Sequence, residues 1–254
     1  MSYNCQRSGF DRGMFMEMIS AILPAYNEED IIENVLHETA RTLNWITSRW
    51  EILVVDDGSI DSTPEIVKKF AKTDNRVKIL SYGKNMGKGF ALRYGFQHSR
   101  GDLVIFMDAD LELHPRKIIE FIEIMREEGA DIVVGSKRHP KSKVAYPLKR
   151  KILSNVYFLL VKILFDLDVK DTQTGLKLFK RDVLADVIPR ILVKRYAFDV
   201  ELLANSVRRG YKIVEAPVEL NFRHNSHVNW KEVWKILVDT MAIAYRMHIK
   251  RYYD

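Results

Sequence analysis

The sequence predicts an α/β fold with a mostly parallel central sheet flanked by helices, of the Rossmann-like kind. Short, continuously apolar runs alternate with segments of helical periodicity through the first half of the chain. Strands that are apolar on both faces are typical of parallel sheets covered by helices. In addition, 254 residues are enough to bury one large core, and no internal repeat or low-complexity linker divides the chain.

The first half contains five predicted strands and four predicted helices. The strands are the runs ISAILP, EILVVDD, VKILSY, DLVIFMD and DIVVGS. The helices lie between them, over residues 28–43, 62–72, 87–98 and 115–128. In the last helix Ile118, Ile122 and Met125 fall on one face, as expected for a helix that packs on a sheet.

The second half is less regular. We predict a helix near 148–165, then a loop, a short strand and a helix start within DVKDTQTGLKLFKRDVL. The run AFDVELLANSVRRG predicts a helix that ends at Gly210, YKIVEAPVELNF an extended segment, and residues 229–250 a terminal helix. The predicted organisation is a disordered or weakly ordered lead-in over 1–18, one domain over 19–228, and a C-terminal amphipathic helix within 229–254.

Cysteine content and hydropathy exclude some classes of protein. Cys5 is the only cysteine, which excludes an intramolecular disulfide and a cysteine-rich metal site and fits a reducing compartment. The most apolar stretch, ILSNVYFLLVKILFDLDV, is interrupted by Lys162 and Asp166 and falls short of the roughly 20 apolar residues of a membrane span. We therefore expect a cytoplasmic protein without a transmembrane helix.

Positive charge is concentrated in the middle of the chain. The net charge is +6, and seven Lys or Arg but no Asp or Glu lie between Lys137 and Lys151. Such a segment attracts an anion, although a solvated basic loop is the alternative interpretation. Nucleic acid is not expected as a partner, because the sequence lacks interleaved stacking aromatics, zinc-ligand spacing and a helix-turn-helix signature.

Polar residues follow the first four predicted strands at the point where each strand ends. These segments are PAYNEED, DDGSIDST, GKNMGKG and DADLE, in chain order. Parallel sheets bind ligands outside the carboxyl ends of their strands, so the four segments together predict one wall of a site. Taken singly they are less specific, because Asp61 or Ser62 can simply cap a helix and the glycine-rich segment lacks the spacing of a P-loop.

Three carboxylates stand at the end of the fourth strand. Residues two apart on an extended chain point to the same side, so Asp108, Asp110 and Glu112 can converge on one point. Unpaired carboxylates repel one another, and a divalent cation relieves the repulsion, because Mg²⁺ and Mn²⁺ take hard oxygen ligands together with substrate phosphates. The sequence therefore predicts a Mg²⁺ or Mn²⁺ site, with a helix-capping aspartate beside a solvated loop as the alternative.

Four segments, in this order and spacing, resemble the nucleotide-sugar-binding half of GT-A glycosyltransferases of family 2. They are PAYNEED, VVDDGSIDST, NMGKGFALRYG and MDADLEL, and the resemblance covers most of residues 19–136. The residues that it places at the nucleotide sugar are Pro24, Ala25, Tyr26, Glu28, Asp56 or Asp57, Ser59, Lys88, Asp108, Ala109 and Asp110. A cation held by Asp108 and Asp110 can neutralise the charge that develops on a departing nucleoside diphosphate.

Two later segments resemble the subgroup of this family that makes dolichyl- or polyprenyl-phosphate sugars. They are VKDTQTGLKLFKRDVL and AFDVELLANSVRRGYKIVEAPVEL, and the resemblance implies an acceptor half over 137–228. The residues that it places at the sugar or the acceptor are Asp171, which would join Asp108 and Asp110 in catalysis, Gln173, Lys177, Asp199 and Glu201. The structural alternatives are that Asp171 caps a turn and that Asp199 and Glu201 begin a helix.

A lipid phosphate acceptor fits the basic segment. Such a phosphate is already anionic at neutral pH, so its oxygen needs little help from a general base, but it must be attracted and oriented. The candidates for this task are Lys137, Arg138, Lys149, Arg150 and Arg223. Arg138 and Arg223 are favoured, because a guanidinium grips phosphate through two parallel hydrogen bonds. At RHNSHVN only the arginine fits the subgroup's usual acceptor-loop pattern.

The terminal helix is predicted to carry aromatic and apolar residues along one stripe, with basic residues beside it. Trp230, Trp234 and Met241 belong to the stripe, and Lys235 and Lys250 are among the flanking charges. Helices of this kind lie in the headgroup layer of a membrane, or pack into a core or a subunit interface. We expect peripheral attachment to the cytoplasmic face of a membrane, with a homo-oligomer or a membrane-protein partner as alternatives.

The sequence as a whole predicts an inverting glycosyltransferase that moves a hexose from a UDP- or GDP-linked nucleotide sugar onto dolichyl or polyprenyl phosphate. A transferase that acts on a glycan hydroxyl is the alternative within the same family. A nucleotide-sugar-binding subunit without catalysis is the alternative from another class of protein.

Overall fold

The computed structural model describes residues 17–142, 148–195, 197–220 and 230–254. Within these ranges the strands are β1 (Ile19–Ala25), β2 (Trp50–Asp56), β3 (Val77–Ser81), β4 (Leu103–Met107), β5 (Ile132–Ser136), β6 (Leu176–Lys180) and β7 (Ile213–Pro217). The α-helices are α1 (Ile32–Ile46), α2 (Thr63–Thr73), α3 (Lys88–His98), α4 (Lys117–Glu127), α5 (Leu148–Phe165), α6 (Arg181–Val187), α7 (Phe198–Arg208) and α8 (Trp230–His248). Side chains are described from residue 154 onward in α5 and from residue 233 onward in α8.

The strands form one sheet in the spatial order β3-β2-β1-β4-β6-β5-β7. Strand β6 runs antiparallel to both of its neighbours, β4 and β5, whereas the other neighbouring pairs are parallel. The predicted α/β fold with a mostly parallel sheet is confirmed. Because Leu176 at the start of β6 pairs with Met107 at the end of β4, the loop before β6 reaches the same edge of the sheet as the acidic residues after β4.

Helices cover both faces of the sheet, and a hydrophobic core lies under each layer. Along β1, Ile19, Ala21 and Leu23 belong to one core and Ile22 to the other. The first core is closed by α1, α2 and α4, and the second by α3, α5, α6, α7 and α8. Because side chains on both faces of β1 are fully buried, the strand that leads into the polar edge is tightly held.

Helix α1 begins at Ile32, later than the predicted start at residue 28. The preceding residues form a turn in which Asn27 adopts a positive φ of 57°. The backbone N–H of Glu28 donates to the Thr63 hydroxyl (2.8 Å), and the backbone N–H of Glu29 donates to the Asp61 carboxylate (3.1 Å). These bonds fix the segment as a loop, so Glu28 stands at the polar edge of the sheet rather than in a helix.

A buried carboxylate, that of Glu51, connects the starts of β1, β2 and β3, at the opposite ends of the strands from Glu28. The Glu51 side chain is 3% exposed. It accepts hydrogen bonds from Ser20 Oγ (2.8 Å), the Arg100 backbone N–H (2.7 Å) and Lys78 Nζ (2.9 Å). Burial alone would raise the pKa of Glu51, but these donors outweigh burial and lower the pKa below its ordinary value.

Replacing Glu51 by glutamine is expected to reduce the free energy of unfolding at neutral pH by about 1–3 kcal/mol, because hydrogen bonds to a charged acceptor are lost. A group whose pKa is lowered on folding contributes stability above its unfolded pKa and loses it as the pH falls through the folded pKa. The difference in free energy of unfolding between wild type and Glu51→Gln should therefore decrease below about pH 4.3, the pKa of glutamate in the unfolded state. Urea unfolding of both proteins across this pH range measures this difference in free energy. A difference that stays constant at every pH would contradict the prediction.

Parts of the predicted organisation fall outside the described residues. The lead-in over 1–18 is described only from residue 17 onward. The Met18 backbone N–H donates to the Asp102 carboxylate (2.7 Å), just before β4. Arg223 and the loop around it lie outside the described part of the chain, as do the side chains of Lys149 and Arg150. Among the helices that are described, none is long and apolar enough to cross a membrane.

Candidate active site

A cavity of about 400 Å³ opens at the edge of the sheet where β1, β2 and β4 end. The residues predicted from the sequence that line it are Pro24, Ala25, Tyr26, Glu28, Asp57, Lys88, Asp108, Ala109, Asp110, Gln173 and Asp199. Three further lining residues, Asn85, Gly87 and Arg195, are indicated individually by no sequence pattern. Residues from both halves of the chain thus share one concave surface, which is the usual form of a ligand site.

Lys88 and Asp108 form an ion pair in this cavity, with Lys88 Nζ 2.5 Å from Asp108 Oδ1. Lys88 is the first residue of α3 and Asp108 follows β4, so the pair joins two elements at the edge of the sheet. Burial would lower the pKa of Lys88, but Asp108, Asp199 and Asp110 outweigh it and raise that pKa. The lysine is therefore a fixed positive charge among carboxylates.

Lys88 does not fully neutralise the carboxylates of the cavity. Burial and the neighbouring charge of Asp108 raise the pKa of Asp110 to about 6. Burial, followed by the charges of Asp110 and Asp108, raises the pKa of Glu28 to about 7. Shifts in this direction arise when like charges face each other in a partly dehydrated space, and an added cation would relieve them.

Asp108 and Asp110 are the residues that fit a divalent cation. Their oxygens are the hard ligands that Mg²⁺ and Mn²⁺ prefer, and both line the cavity beside space for further ligands. Glu112, the third predicted ligand, lines a smaller cavity together with both aspartates. Its backbone N–H donates to Asp110 Oδ1 (2.9 Å), and the described residues contain no group of three acidic, histidine or cysteine side chains placed to hold a metal.

Two adjacent aspartates after β2 shape the wall of the cavity. Asp57 accepts hydrogen bonds from the backbone N–H groups of Met86 (2.6 Å) and Gly87 (2.9 Å), and so anchors the loop before α3. Asp56 accepts the backbone N–H of Ser59 (2.9 Å) within its own loop. Asp57 lines the cavity, whereas Asp56 and Ser59 are not among the residues that line it.

Lys177 is buried rather than presented to a ligand. Its side chain is 2% exposed, and its ammonium group pairs with Asp199 at 2.8 Å and donates to the Thr174 carbonyl oxygen at 2.7 Å. Because Asp199 lines the cavity, Lys177 is placed to act on a ligand only through Asp199. Glu201 is fully buried in the first turn of α7 and is not among the residues that line the cavity.

A second cavity of about 130 Å³ adjoins the first at Gln173, which lines both. The Asp171 carboxylate accepts the backbone N–H groups of Lys137 (3.1 Å) and Gln173 (3.2 Å), and Lys137 Nζ lies 4.0 Å from it. Helix α5 supplies an aromatic wall, including Phe158, over whose ring the Arg138 guanidinium lies 5.0 Å from the centroid. Basic and apolar groups therefore meet beside the acidic cavity.

Arg195 is a cationic residue that sequence patterns do not single out. It precedes α7 and lines the larger cavity, and within the described part of the chain its guanidinium has no carboxylate partner. A glycine opposite allows its approach: Gly87 has a φ of 96°, and a Cβ there would lie 2.8 Å from both Arg195 Cγ and the Lys194 carbonyl oxygen. The sequence signal for this contact is slight, a basic pair ahead of a helix start.

The fold and the site together define an α/β protein with a ligand cavity and paired aspartates where its parallel strands end. Residues 20–188 match the family model described as Glycosyl transferase family 2. The chain belongs to this family and is a glycosyltransferase.

Named relatives are similar over most of the chain. Dolichyl-phosphate beta-glucosyltransferase ALG5C of Trichomonas vaginalis is 37% identical over 237 residues, which cover 88% of this chain and 69% of that protein. The ALG5D enzyme of the same organism is 37% identical over 247 residues, covering 91% and 75%. Glucosyl-3-phosphoglycerate synthase of Mycobacterium tuberculosis, solved with Mn²⁺, UDP and phosphoglyceric acid, has a TM-score of 0.71 at 20% identity, over 95% of this chain and 84% of that one. The last similarity confirms the GT-A fold.

Replacing Gly175 by alanine is expected to lower transferase activity about 10²-fold, the effect of moving a reactive group by roughly 1 Å. A Cβ at this position would lie 2.5 Å from Asp108 Oδ2, so the carboxylate must shift. Gly129→Ala is the control, because a Cβ there meets nothing within 4 Å although φ is 59°. It should lose about 1–2 kcal/mol of stability, the cost of a left-handed backbone conformation for a residue with a Cβ, and keep its activity. Full activity of Gly175→Ala in a steady-state transfer assay would refute the expectation.

Proposed function

We propose that this glycosyltransferase moves a hexose, with inversion, from a nucleotide sugar of the UDP-glucose or GDP-mannose type to dolichyl or polyprenyl phosphate. The observation that carries the proposal is the pair of adjoining cavities, one with a lysine facing paired aspartates and one with basic and aromatic walls. The names of the Trichomonas vaginalis relatives favour glucose as the sugar and dolichyl phosphate as the acceptor.

The larger cavity is proposed to hold the nucleotide sugar. Its volume of about 400 Å³ lies in the usual range for small-molecule sites. Pro24 and Ala25, at the end of β1, offer an apolar surface for the nucleoside, and Lys88 and Arg195 offer positive charge for the diphosphate. The Mycobacterium tuberculosis synthase was solved with UDP, which supports the same class of donor here.

Asp108 and Asp110 are proposed to hold Mg²⁺ or Mn²⁺ together with the diphosphate. When bound, the cation supplies neutralisation of the charge on the leaving nucleoside diphosphate. Lys88 stays paired with Asp108 and orients the same phosphates from the start of α3. Asp57 keeps the loop before α3 in place, so that the position of Lys88 is fixed before a ligand arrives.

The acceptor phosphate is proposed to bind where the two cavities meet at Gln173. A phosphate oxygen attacks the anomeric carbon as the bond from that carbon to the nucleotide phosphate breaks, so one carbon–oxygen bond replaces another. Because the phosphate is already anionic, no side chain has to remove a proton. Asp171 then serves to hold the backbone of Lys137 and Gln173 in place, while Lys137 and Arg138 attract the phosphate.

Peripheral contact with a membrane is part of the proposal, since the acceptor is a lipid. Helices α5 and α8 pack together through the Tyr157 and Thr240 hydroxyl groups (3.0 Å). Their large exposed apolar side chains are Val156, Leu159, Ile163, Trp234, Val238, Met241 and Tyr245. Sedimentation with vesicles of anionic phospholipid tests the membrane contact. Trp234→Ser should bind the vesicles less than wild type at low salt. Equal binding by wild type and variant would argue that a protein partner or a second copy of the chain covers this surface instead.

Radiolabel transfer from UDP-glucose, UDP-N-acetylglucosamine and GDP-mannose to a short polyprenyl phosphate tests the proposal directly. Labelled glucosyl lipid, formed with Mg²⁺ or Mn²⁺ and not after chelation, is the expected product. Transfer to water-soluble glycans in the absence of lipid phosphate would favour a hydroxyl acceptor. Binding of UDP or GDP without transfer to either acceptor would favour a non-catalytic subunit.

A further inference from the structure

A buried carboxylate outside the cavity connects the end of the chain to the cavity wall. Glu201 is fully buried in the first turn of α7. Its Oε2 accepts the backbone N–H groups of Leu192 (3.0 Å) and Val193 (2.7 Å). Its Oε1 accepts hydrogen bonds from the Arg246 guanidinium (3.2 Å) and the Tyr253 hydroxyl. One side chain therefore joins the segment before α7 to α8 and to the residues that follow α8.

Arg246 and Tyr253 close this cluster among themselves. Arg246 Nε donates to the Tyr253 hydroxyl oxygen (2.9 Å), which leaves the hydroxyl proton for Glu201. The opposite charges of Glu201 and Arg246 compensate each other, which a carboxylate without exposure to water requires. Tyr253 itself is 2% exposed. The cluster is thus a closed, internally satisfied network rather than a ligand site of its own.

The segment that Glu201 holds, residues 191–195, also contacts α3. The Arg93 guanidinium donates to the Ile191 carbonyl oxygen (2.8 Å), and the Phe90 backbone N–H donates to the Lys194 carbonyl oxygen (3.0 Å). The segment ends at Arg195, which lines the larger cavity. Glu201 on one side and α3 on the other therefore fix the backbone of the segment that carries Arg195.

We propose that Glu201, Arg246 and Tyr253 form a positioning cluster for the donor: they fix segment 191–195 and so place the Arg195 guanidinium against the diphosphate of the nucleotide sugar. The inference rests on the proposed function, because it takes the larger cavity as the nucleotide-sugar site. Since two of the three residues belong to α8 and the residues after it, a displacement of α8 changes donor affinity. The cluster contacts neither substrate and acts only through Arg195.

Tyr253→Phe tests the cluster with the removal of a single hydroxyl. We expect the dissociation constant for UDP or GDP, measured by calorimetry with Mn²⁺, and the KM for the sugar nucleotide to rise about 10-fold, the equivalent of one hydrogen bond. The KM for polyprenyl phosphate should stay unchanged. Tyr252→Phe is the matched control, because the neighbouring ring is 51% exposed and the cluster does not include it; it should behave as wild type.

A double substitution separates positioning from general stability. In an Arg195→Gln background, adding Tyr253→Phe should leave nucleotide affinity where Arg195→Gln alone puts it, because the cluster then has no guanidinium to place. The inference would be overturned if Tyr253→Phe kept the wild-type affinity for UDP and GDP. It would also be overturned if Tyr253→Phe lowered this affinity by the same factor in the wild type and in the Arg195→Gln variant, even if the melting temperature drops.

The same measurements keep this inference apart from the proposed function. Wild-type protein that binds nucleotide but transfers nothing to polyprenyl phosphate would refute the proposed function, and the nucleotide affinities would still decide on the cluster. Wild-type protein that binds neither UDP nor GDP would refute both.

Discussion

Replacing Asp110 by asparagine is expected to reduce sugar transfer by about 10²- to 10³-fold, the range seen when one electrostatic stabiliser of a transition state is removed. The fold should remain at least as stable as in the wild type. Burial and repulsion by Asp108 raise the pKa of Asp110 to about 6, so its charge opposes folding and its removal relieves that repulsion. Initial rates with saturating Mn²⁺, together with thermal unfolding of the same preparation, measure both effects.

Asp182→Asn is the matched control for this substitution. Asp182 is exposed at the start of α6, which follows the end of β6 that pairs with the start of β4. It therefore lies at the opposite edge of the sheet from the cavity, and its replacement should leave the rate unchanged. If Asp110→Asn retained full metal-dependent activity, the assignment of the aspartate pair to the cation would be wrong.

Replacing Lys88 by methionine is expected to lower the rate of transfer by about 10²-fold and to weaken nucleotide diphosphate binding. The lysine is the cation that the structure places 2.5 Å from Asp108, and its charge offsets part of the negative charge of the cavity carboxylates. Methionine retains most of the length and the apolar stem while removing the ammonium group. Calorimetric titration with UDP and GDP, next to steady-state rates, separates the loss of binding from the loss of turnover.

Lys84→Met provides the comparison from the loop that precedes α3. Lys84 is exposed and does not line the cavity, so this variant changes the net charge by the same amount without touching the site. Equal losses in Lys84→Met and Lys88→Met would show that long-range attraction of the anionic donor, and not the ion pair with Asp108, accounts for the effect.

The strands and the acidic segment after β4 could be predicted because their signals are local. Five apolar runs coincide with β1 to β5 within a residue or two. Burial on both faces leaves an uninterrupted apolar pattern in β1, β2, β4 and β5, whereas β3 is only partly buried. The convergence of Asp108 and Asp110 on one cavity follows from the position of the strand end. The start of α1 was harder to predict, because Glu28 and Glu29 bond to side chains from the next loop, which no helical periodicity reveals.

Other features depend on contacts between distant segments and leave little trace in the sequence. The direction of β6 is set by its neighbours β4 and β5, and its five residues carry no mark of strand direction. Arg195 reaches the cavity because Gly87 leaves room for it. Lys177 and Glu201 are charged residues whose partners are buried beside them, so residue type alone does not distinguish them from ligand-binding groups.

The insertion of β6 between β4 and β5 makes the two halves of the chain inseparable as building blocks. A fragment comprising 19–136 would retain β4 but lose its neighbour, leaving a row of backbone donors and acceptors open along the middle of the sheet. An exposed edge strand of this kind pairs with other chains, so this fragment should self-associate rather than remain a monomeric nucleotide-binding domain. Grafting a foreign acceptor half onto this chain therefore requires a graft that brings its own compatible β6.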